Sequence, residues 1–188
     1  MRVVTYGTSL TARGGWQDEL AAALSRCLAT KVDVVNLGKS GAASDWGVQA
    51  IGSVTAAAPD IVLIEFSVND AALHRGVGFA QSQANIRTMV SEIRKARPQT
   101  RIYLMMMSPV SGWRGLLRPY LNDYYDSYGP LSRELNVGVI DLRPAWNMLS
   151  EEERNSAIPD GAHPDPAVAS KIQVPRIVQS IAGPSCEG

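Results

Sequence analysis

A serine near the amino terminus and a histidine near the carboxyl terminus have the chemistry of a nucleophile and its base. Ser9 follows the apolar run 3–6, which predicts a buried strand, so Ser9 is expected just past the strand's carboxyl end. A hydroxyl is a poor nucleophile until an imidazole accepts its proton. Of the two histidines, His163 is the better base, because Asp160 three residues earlier can hold its Nδ1 and leave Nε2 facing the serine.

Two further residues have the chemistry of oxyanion donors. Gly41 and Asn69 follow the strands predicted at 32–36 and 61–66. Because ligands of open α/β sheets bind at the carboxyl ends of the strands, a backbone N–H and a side-chain amide could converge there beside Ser9. Acyl transfer needs such donors, aimed at the charge that develops on the carbonyl oxygen.

Strands and amphipathic helices alternate along the chain. The segments with the apolar composition of buried strands are 3–6, 32–36, 61–66, 101–107 and 137–141. Helical spacing of apolar residues predicts helices over 16–28 and 79–93. We expect a last helix with Asp165 as N-cap and Pro166 at its first position, bent or ended by Pro175. The pattern predicts one domain over residues 1–188, a three-layer α/β/α fold with a five-stranded parallel sheet.

The blocks around these residues resemble those of the SGNH hydrolases, also called GDSL esterases and lipases. The likeness spans residues 5–165 and consists of the segments 7–10, 38–41, 69–70 and 160–163, in the family's order. It implies a serine ester hydrolase with the flavodoxin-like strand order 2-1-3-4-5, acting on a small-molecule or saccharide ester without metal or cofactor. By position, the catalytic roles fall on Ser9, Asp160 and His163. The oxyanion donors are the N–H of Ser9, Gly41 and Asn69.

Two positions depart from the family's pattern. Thr8 stands where the family usually has Asp, and Ser67 stands where Gly normally opens the Gly-x-Asn-Asp block. Neither position holds the nucleophile or the base, so we expect activity to be retained. The second departure bears on the geometry of the loop around Asn69.

Composition excludes several classes of protein. Eighteen basic residues balance eighteen acidic ones, so neither nucleic-acid binding nor attraction of polyanions is indicated. Cys27 lies in a helical pattern and Cys186 in a polar tail, which predicts neither a disulfide framework nor a metal cluster. No apolar stretch approaches the roughly 18 residues of a membrane span, and no signal peptide precedes the first strand.

These features predict a cytoplasmic protein, although a chain whose export signal had been removed would look the same. The sequence carries no indication of oligomeric state.

The longest irregular piece, 108–119, leaves the carboxyl end of the fourth strand and is expected to overhang the site. Trp113 within it either contacts substrate or fills a surface gap. Gly129-Pro130 is expected to break or kink the helical pattern that follows.

Each candidate residue also has a structural interpretation. Ser9 could be a helix-cap hydroxyl, and Asn69 and Asp70 could be ordinary turn formers. The occurrence of all four blocks in order favours catalysis, while Asp70 is expected to be a structural hydrogen-bonding residue. His74 is expected to be a solvated loop residue.

Several functions remain open at this point. Our first choice is removal of short acyl groups, acetyl from acetylated saccharides in particular. Alternatives on the same site are a broad aryl or alkyl esterase, a thioesterase or an acyltransferase, and a catalytically silent relative could only bind ligand. From another class, the hydroxyl-rich segment 8–11 is also similar to the phosphate loop of flavodoxins, which predicts a flavin-binding module.

Overall fold

Within residues 1–186, five parallel strands form one sheet in which their order, numbered along the chain, is 2-1-3-4-5. The structure is a computed structural model that describes residues 1–186. The strands are β1 (Arg2–Gly7), β2 (Asp33–Asn36), β3 (Ile61–Glu65), β4 (Arg101–Met106) and β5 (Gly138–Asp141). Every strand end lies within one residue of its predicted place, and the predicted strand order is confirmed.

Helices cover both faces of the sheet, as the predicted three-layer fold requires. They are α1 (Ser9–Ala12), α2 (Gln17–Cys27), α3 (Ser44–Gln49), α4 (Ile51–Ala56), α5 (Ser67–Asp70), α6 (Phe79–Ala96), α7 (Gly112–Leu116), α8 (Leu121–Asp126), α9 (Tyr128–Leu135), α10 (Arg143–Asn147), α11 (Glu151–Ala157) and α12 (Pro166–Ala182). Helices α2 and α12 pack together on one face, and α3, α4, α6 and α9 form the other layer.

Burial follows from this layering. The central strand β3 is buried along its whole length, and β1 is buried apart from its first residue. Since helices cover both faces, these strands are mostly apolar and do not alternate between apolar and polar residues. Strand β2, at the edge, remains partly exposed. The rigid centre therefore holds the carboxyl ends of β1 and β3 side by side, with Gly7 paired to Glu65.

Three local predictions need correction. The segment 108–119, predicted to be irregular, contains the short helix α7. The helical break falls at Ser127, before Gly129-Pro130, because Pro130 lies in the first turn of α9, where a missing N–H costs little. Of the two effects expected of Pro175, a bend or an end of the helix, the end does not occur, because α12 continues to Ala182. Pro175 and Lys171, whose carbonyl loses its N–H partner, are both exposed, so water can solvate that carbonyl.

The expectation that the two cysteines stay unpaired was also wrong. Cys27, the last residue of α2, and Cys186, beyond the end of α12, form a disulfide with their Cα atoms 5.8 Å apart. Helix α2 comes after β1 and α12 after β5, and the two helices pack together on one face of the sheet. Because the strands are parallel, the carboxyl ends of both helices lie at the same end of the sheet. The pairing depends on this packing, which the polar sequence around Cys186 does not reveal.

Within residues 1–186, none of the helices combines the length and the apolar character needed to cross a lipid bilayer.

Candidate active site

Ser9 lies where β1 gives way to α1, and its hydroxyl meets the imidazole of His163. Thr8 is the N-cap of α1, and its hydroxyl accepts a hydrogen bond from the Leu10 N–H at 3.2 Å. Ser9 is 9% exposed, and its Oγ lies 2.8 Å from Nε2 of His163. The structure therefore brings together two residues that are 154 positions apart.

Hydrogen bonds within the segment 160–163 fix the orientation of the His163 imidazole. Asp160 Oδ2 lies 2.7 Å from His163 Nδ1, while Oδ1 accepts the backbone N–H groups of Ala162 and His163 at 2.9 and 2.7 Å. Burial alone would raise the pKa of Asp160, but the hydrogen bonds from His163 and from these two N–H groups lower it well below its ordinary range. The carboxylate thus stays ionised beside the ring.

Gly161 gives this segment its shape. Its φ of +76° is in the left-handed region, and a Cβ there would lie 2.6 Å from the carbonyl oxygen of Ser111. Its own carbonyl accepts the Ser111 N–H at 2.8 Å. A glycine is required because only a residue without Cβ fits both the φ angle and this close approach.

Ser9, Gly41 and Asn69 line a common cleft, and each has an N–H group without a partner among residues 1–186. The backbone N–H groups of Ser9 and Gly41 have no hydrogen-bond partner among residues 1–186, and Gly41 has a φ of +79°. The Asn69 amide donates one N–H to the Ala42 carbonyl at 2.7 Å, which fixes its orientation and leaves a second N–H for a ligand.

Arg118 supports the helix that carries Asn69. The buried guanidinium donates to the Val68 carbonyl at 2.6 Å and contacts Asn69 Oδ1 at 3.4 Å. Both contacts fall on α5, the helix that carries Asn69. Arg118 comes from the segment predicted to overhang the site, but its supporting role had no signal in the sequence.

Asp70 has the structural role expected of it. Its carboxylate accepts the Ser44 N–H at 2.7 Å and the Ser82 hydroxyl at 2.5 Å, and Asn85 donates to the Ser44 hydroxyl at 2.8 Å. Burial raises the pKa of Asp70, and these hydrogen bonds oppose that effect. The network joins α3, α5 and α6, so it fixes α5 relative to the start of α3, which directly follows the loop that contains Gly41.

Glu65 is a residue that sequence reasoning missed. At the end of β3, its fully buried carboxylate accepts the Thr8 N–H at 2.6 Å and the hydroxyls of Thr8 and Thr11 at 3.0 and 2.7 Å. Burial raises the pKa of Glu65 to about 7, although these hydrogen bonds oppose the shift. The turn that carries Ser9 is thus held by a carboxylate from the neighbouring strand. Thr8, which replaces the family's Asp, is one of its donors.

The second departure from the family's pattern requires no unusual backbone conformation. Ser67 is the first residue of α5 and has no positive φ angle. A glycine is therefore not required at this position, and the helix carries Asn69 into the site without one.

A cleft of about 400 Å³ opens in front of Ser9, His163 and the three donors. Trp113, 62% exposed, contributes to its wall, which favours the interpretation that it contacts substrate. The wall also includes His74 and the arginines Arg13, Arg75, Arg114 and Arg118. Trp46 does not line the cleft and packs against Tyr6 and Phe66.

Over residues 1–186, no group of three His, Cys, Asp or Glu side chains is placed to hold a metal ion.

A family model and several known proteins match most of this chain. The model of the GDSL-like Lipase/Acylhydrolase family matches residues 5–169. A GDSL esterase/lipase of Arabidopsis thaliana is 30% identical over 86% of this chain and 78% of its own length. An isoamyl acetate-hydrolyzing esterase 1 homolog of Mus musculus is 26% identical over 88% and 75%.

Solved structures share the fold. A lipase/acylhydrolase from Enterococcus faecalis matches with a TM-score of 0.80 and 25% identity, over 97% of this chain and 95% of that one. An acetylxylan esterase from Geobacillus stearothermophilus matches with a TM-score of 0.79 and 20% identity, over 96% and 93%.

Proposed function

We propose that this chain, which belongs to the GDSL-like lipase/acylhydrolase family and is a carboxylic ester hydrolase, acts through Ser9, His163 and Asp160 on esters of short acyl groups. Acetyl groups of acetylated saccharides are our first choice of substrate. The observation that carries the proposal is the hydrogen-bonded series Asp160–His163–Ser9, with contacts of 2.7 and 2.8 Å. It ends beside backbone N–H groups that have no partner in the described chain.

In the first step, Ser9 Oγ attacks the ester carbonyl while His163 Nε2 accepts the hydroxyl proton. Asp160 holds the Nδ1 proton, which keeps Nε2 in its accepting form and stabilises the imidazolium that results. The negative charge on the carbonyl oxygen is stabilised by the N–H groups of Ser9 and Gly41 and by the free N–H of Asn69. His163 then gives its proton to the departing alcohol oxygen, the carbon–oxygen bond breaks, and an acyl-enzyme remains.

In the second step, a water molecule takes the place of the alcohol. His163 accepts a proton from this water as it attacks the acyl carbon, and the same three donors stabilise the second tetrahedral species. Return of the proton to Ser9 Oγ releases the carboxylic acid. An acceptor alcohol in place of water would make the enzyme an acyltransferase.

Several observations support a short acyl group and a polar alcohol. The cleft is about 400 Å³ and four arginines interrupt its apolar wall, which suits a polar alcohol better than a long acyl chain. The names of two similar proteins, an acetylxylan esterase and an isoamyl acetate-hydrolyzing esterase homolog, both refer to acetyl esters.

The flavin-binding alternative is disfavoured by the same geometry. A phosphate loop needs its donors free to face an anion. Here the hydroxyls of Thr8 and Thr11 already donate to Glu65, so a bound phosphate would have to compete with a buried carboxylate.

The test is a series of 4-nitrophenyl esters of increasing acyl length, assayed beside acetylated xylooligosaccharides. We expect kcat/KM to be highest for acetyl and to fall with acyl length, and acetate to be released from the saccharides. Ser9→Ala is expected to abolish both activities, with unchanged circular dichroism as the control for folding. Highest activity on long acyl chains would contradict the proposed substrate, and full activity of Ser9→Ala would contradict the proposed mechanism.

A further inference from the structure

The wall of the catalytic cleft concentrates positive charge. Among residues 1–186 its lining contains Arg13, Arg75, Arg114 and Arg118 and no aspartate or glutamate, and the one carboxylate behind the lining, that of Asp160, is held by His163 and lies 3.4 Å from Arg114. The chain as a whole has a formal net charge of zero, so this concentration is local and composition conceals it. Such a cleft attracts anions, since low-dielectric walls focus the field of the charges that line them.

Two of these arginines make no contact within residues 1–186 that would indicate a structural role. Arg13 ends α1, one turn beyond Ser9, and Arg75 lies beside Gly41, where a Cβ would be 3.4 Å from its guanidinium. Both are exposed, and neither side chain forms a salt bridge or hydrogen bond within residues 1–186. The other two have structural contacts: Arg114 lies 3.4 Å from Asp160 and over the ring of Trp113, and Arg118 supports α5.

The positive charges are close enough to act on one another. Burial lowers the pKa of Arg118, and the charges of Arg114 and Arg75 lower it further. Arg114 also keeps its Nε buried without a partner in the described chain. An arrangement of like charges is costly unless an opposite charge is brought to it, and a substrate that enters the cleft can supply that charge.

We propose that the cleft selects esters that carry an anionic group, such as a carboxylate, which Arg13 and Arg75 bind while Ser9 attacks the ester carbonyl. The inference rests on the proposed function, since it concerns the substrate of the same site. Guanidinium groups suit this role because they remain charged and can bind a carboxylate through two parallel hydrogen bonds.

The test compares matched anionic and neutral esters. For an anionic group in the alcohol part, 4-acetoxyphenylacetate is compared with its methyl ester. For one in the acyl part, the mono-4-nitrophenyl ester of glutaric acid is compared with its methyl ester, after subtraction of the spontaneous rate. The readout is the ratio of kcat/KM for the anionic over the neutral ester. We expect a ratio of about ten in at least one pair at low salt, from one charge-assisted contact.

Salt and substitution then identify the origin of the preference. Raising the salt from about 20 mM to about 300 mM is expected to lower the ratio several-fold, because a solvent-exposed ion pair is screened. Arg13→Gln and Arg75→Gln are each expected to lower it, and the double variant to bring it near one. Arg176→Gln removes an exposed arginine of α12 that does not line the cleft, so it is expected to leave the ratio unchanged.

The outcomes separate this inference from the proposed function. A ratio near one in both pairs, or a preference that survives the double substitution, overturns the inference while Ser9-dependent hydrolysis of the neutral esters stands. If Ser9→Ala hydrolyses the neutral esters as fast as the parent protein, the proposed function fails first.

Discussion

Replacing Glu65 by glutamine is expected to change how the stability of the protein depends on pH. Burial raises the pKa of Glu65 from 4.5 to about 7, and a difference of one in pKa corresponds to about 1.4 kcal/mol. Between these two values the folded protein keeps a proton that the unfolded chain has lost. The free energy of unfolding contributed by Glu65 is therefore fully present below pH 4.5 and falls by about 3 kcal/mol as the pH rises to about 7.

Glutamine preserves the shape of the side chain and does not titrate. The difference in unfolding free energy, parent minus Glu65→Gln, is thus expected to decrease by about 3 kcal/mol between about pH 4.5 and about pH 8. The buried hydroxyls of Tyr125 and Tyr128 are near enough for the charge of Glu65 to act on them, but burial raises the pKa of both, so they stay neutral throughout.

The assay is urea unfolding at intervals of pH, with both proteins measured in the same buffers. Glu19→Gln, which removes an exposed carboxylate from α2, controls for the loss of one acidic group. A difference that stays flat over this range, or one that increases with pH, would refute the claim that burial dominates the environment of Glu65.

Three further variants test other parts of the site and fold. Asn69→Ala is expected to lower kcat about 100 to 1,000-fold with little change in KM, measured by steady-state kinetics, because one oxyanion donor is lost. Gly161→Ala is expected to lose about 1–2 kcal/mol more stability to urea than Gly76→Ala does. Both glycines have positive φ, but only a Cβ at Gly161 meets a neighbour, the Ser111 carbonyl; equal losses would contradict this. Reduction of the disulfide is expected to lower the free energy of unfolding by about 2–4 kcal/mol, an effect that Cys27→Ser should reproduce without any response to reductant.

The strands of the sheet could be predicted from sequence because their composition is typical of buried strands. Because β1 and β3 are buried on both faces, they are mostly apolar, and residues just beyond parallel strands must meet at one edge. This placed Ser9 and Asn69 near each other before any coordinates. His163 was identified as the base from its spacing to Asp160, but nothing local ties residue 163 to residue 9. Its place beside Ser9, like the order of the strands, was supported by resemblance to a family.

Other features depend on contacts between elements, which a linear pattern does not encode. Glu65 ends a buried strand, where a carboxylate has no local partner, and its donors Thr8 and Thr11 come from another element. The approach of Arg75 to Gly41 and the pairing of Cys27 with Cys186 likewise follow from how loops and helices pack. A net charge of zero similarly conceals the arginines of the cleft.

The central claim is that Ser9 becomes acylated with the help of His163, and covalent trapping tests it most directly. The parent protein is incubated with a fluorophosphonate, and the modified residue is located by peptide mass spectrometry. We expect a single adduct on Ser9, formed far more slowly in His163→Ala and not at all in Ser9→Ala. An adduct on another residue, or labelling of Ser9 that does not depend on His163, would contradict the account.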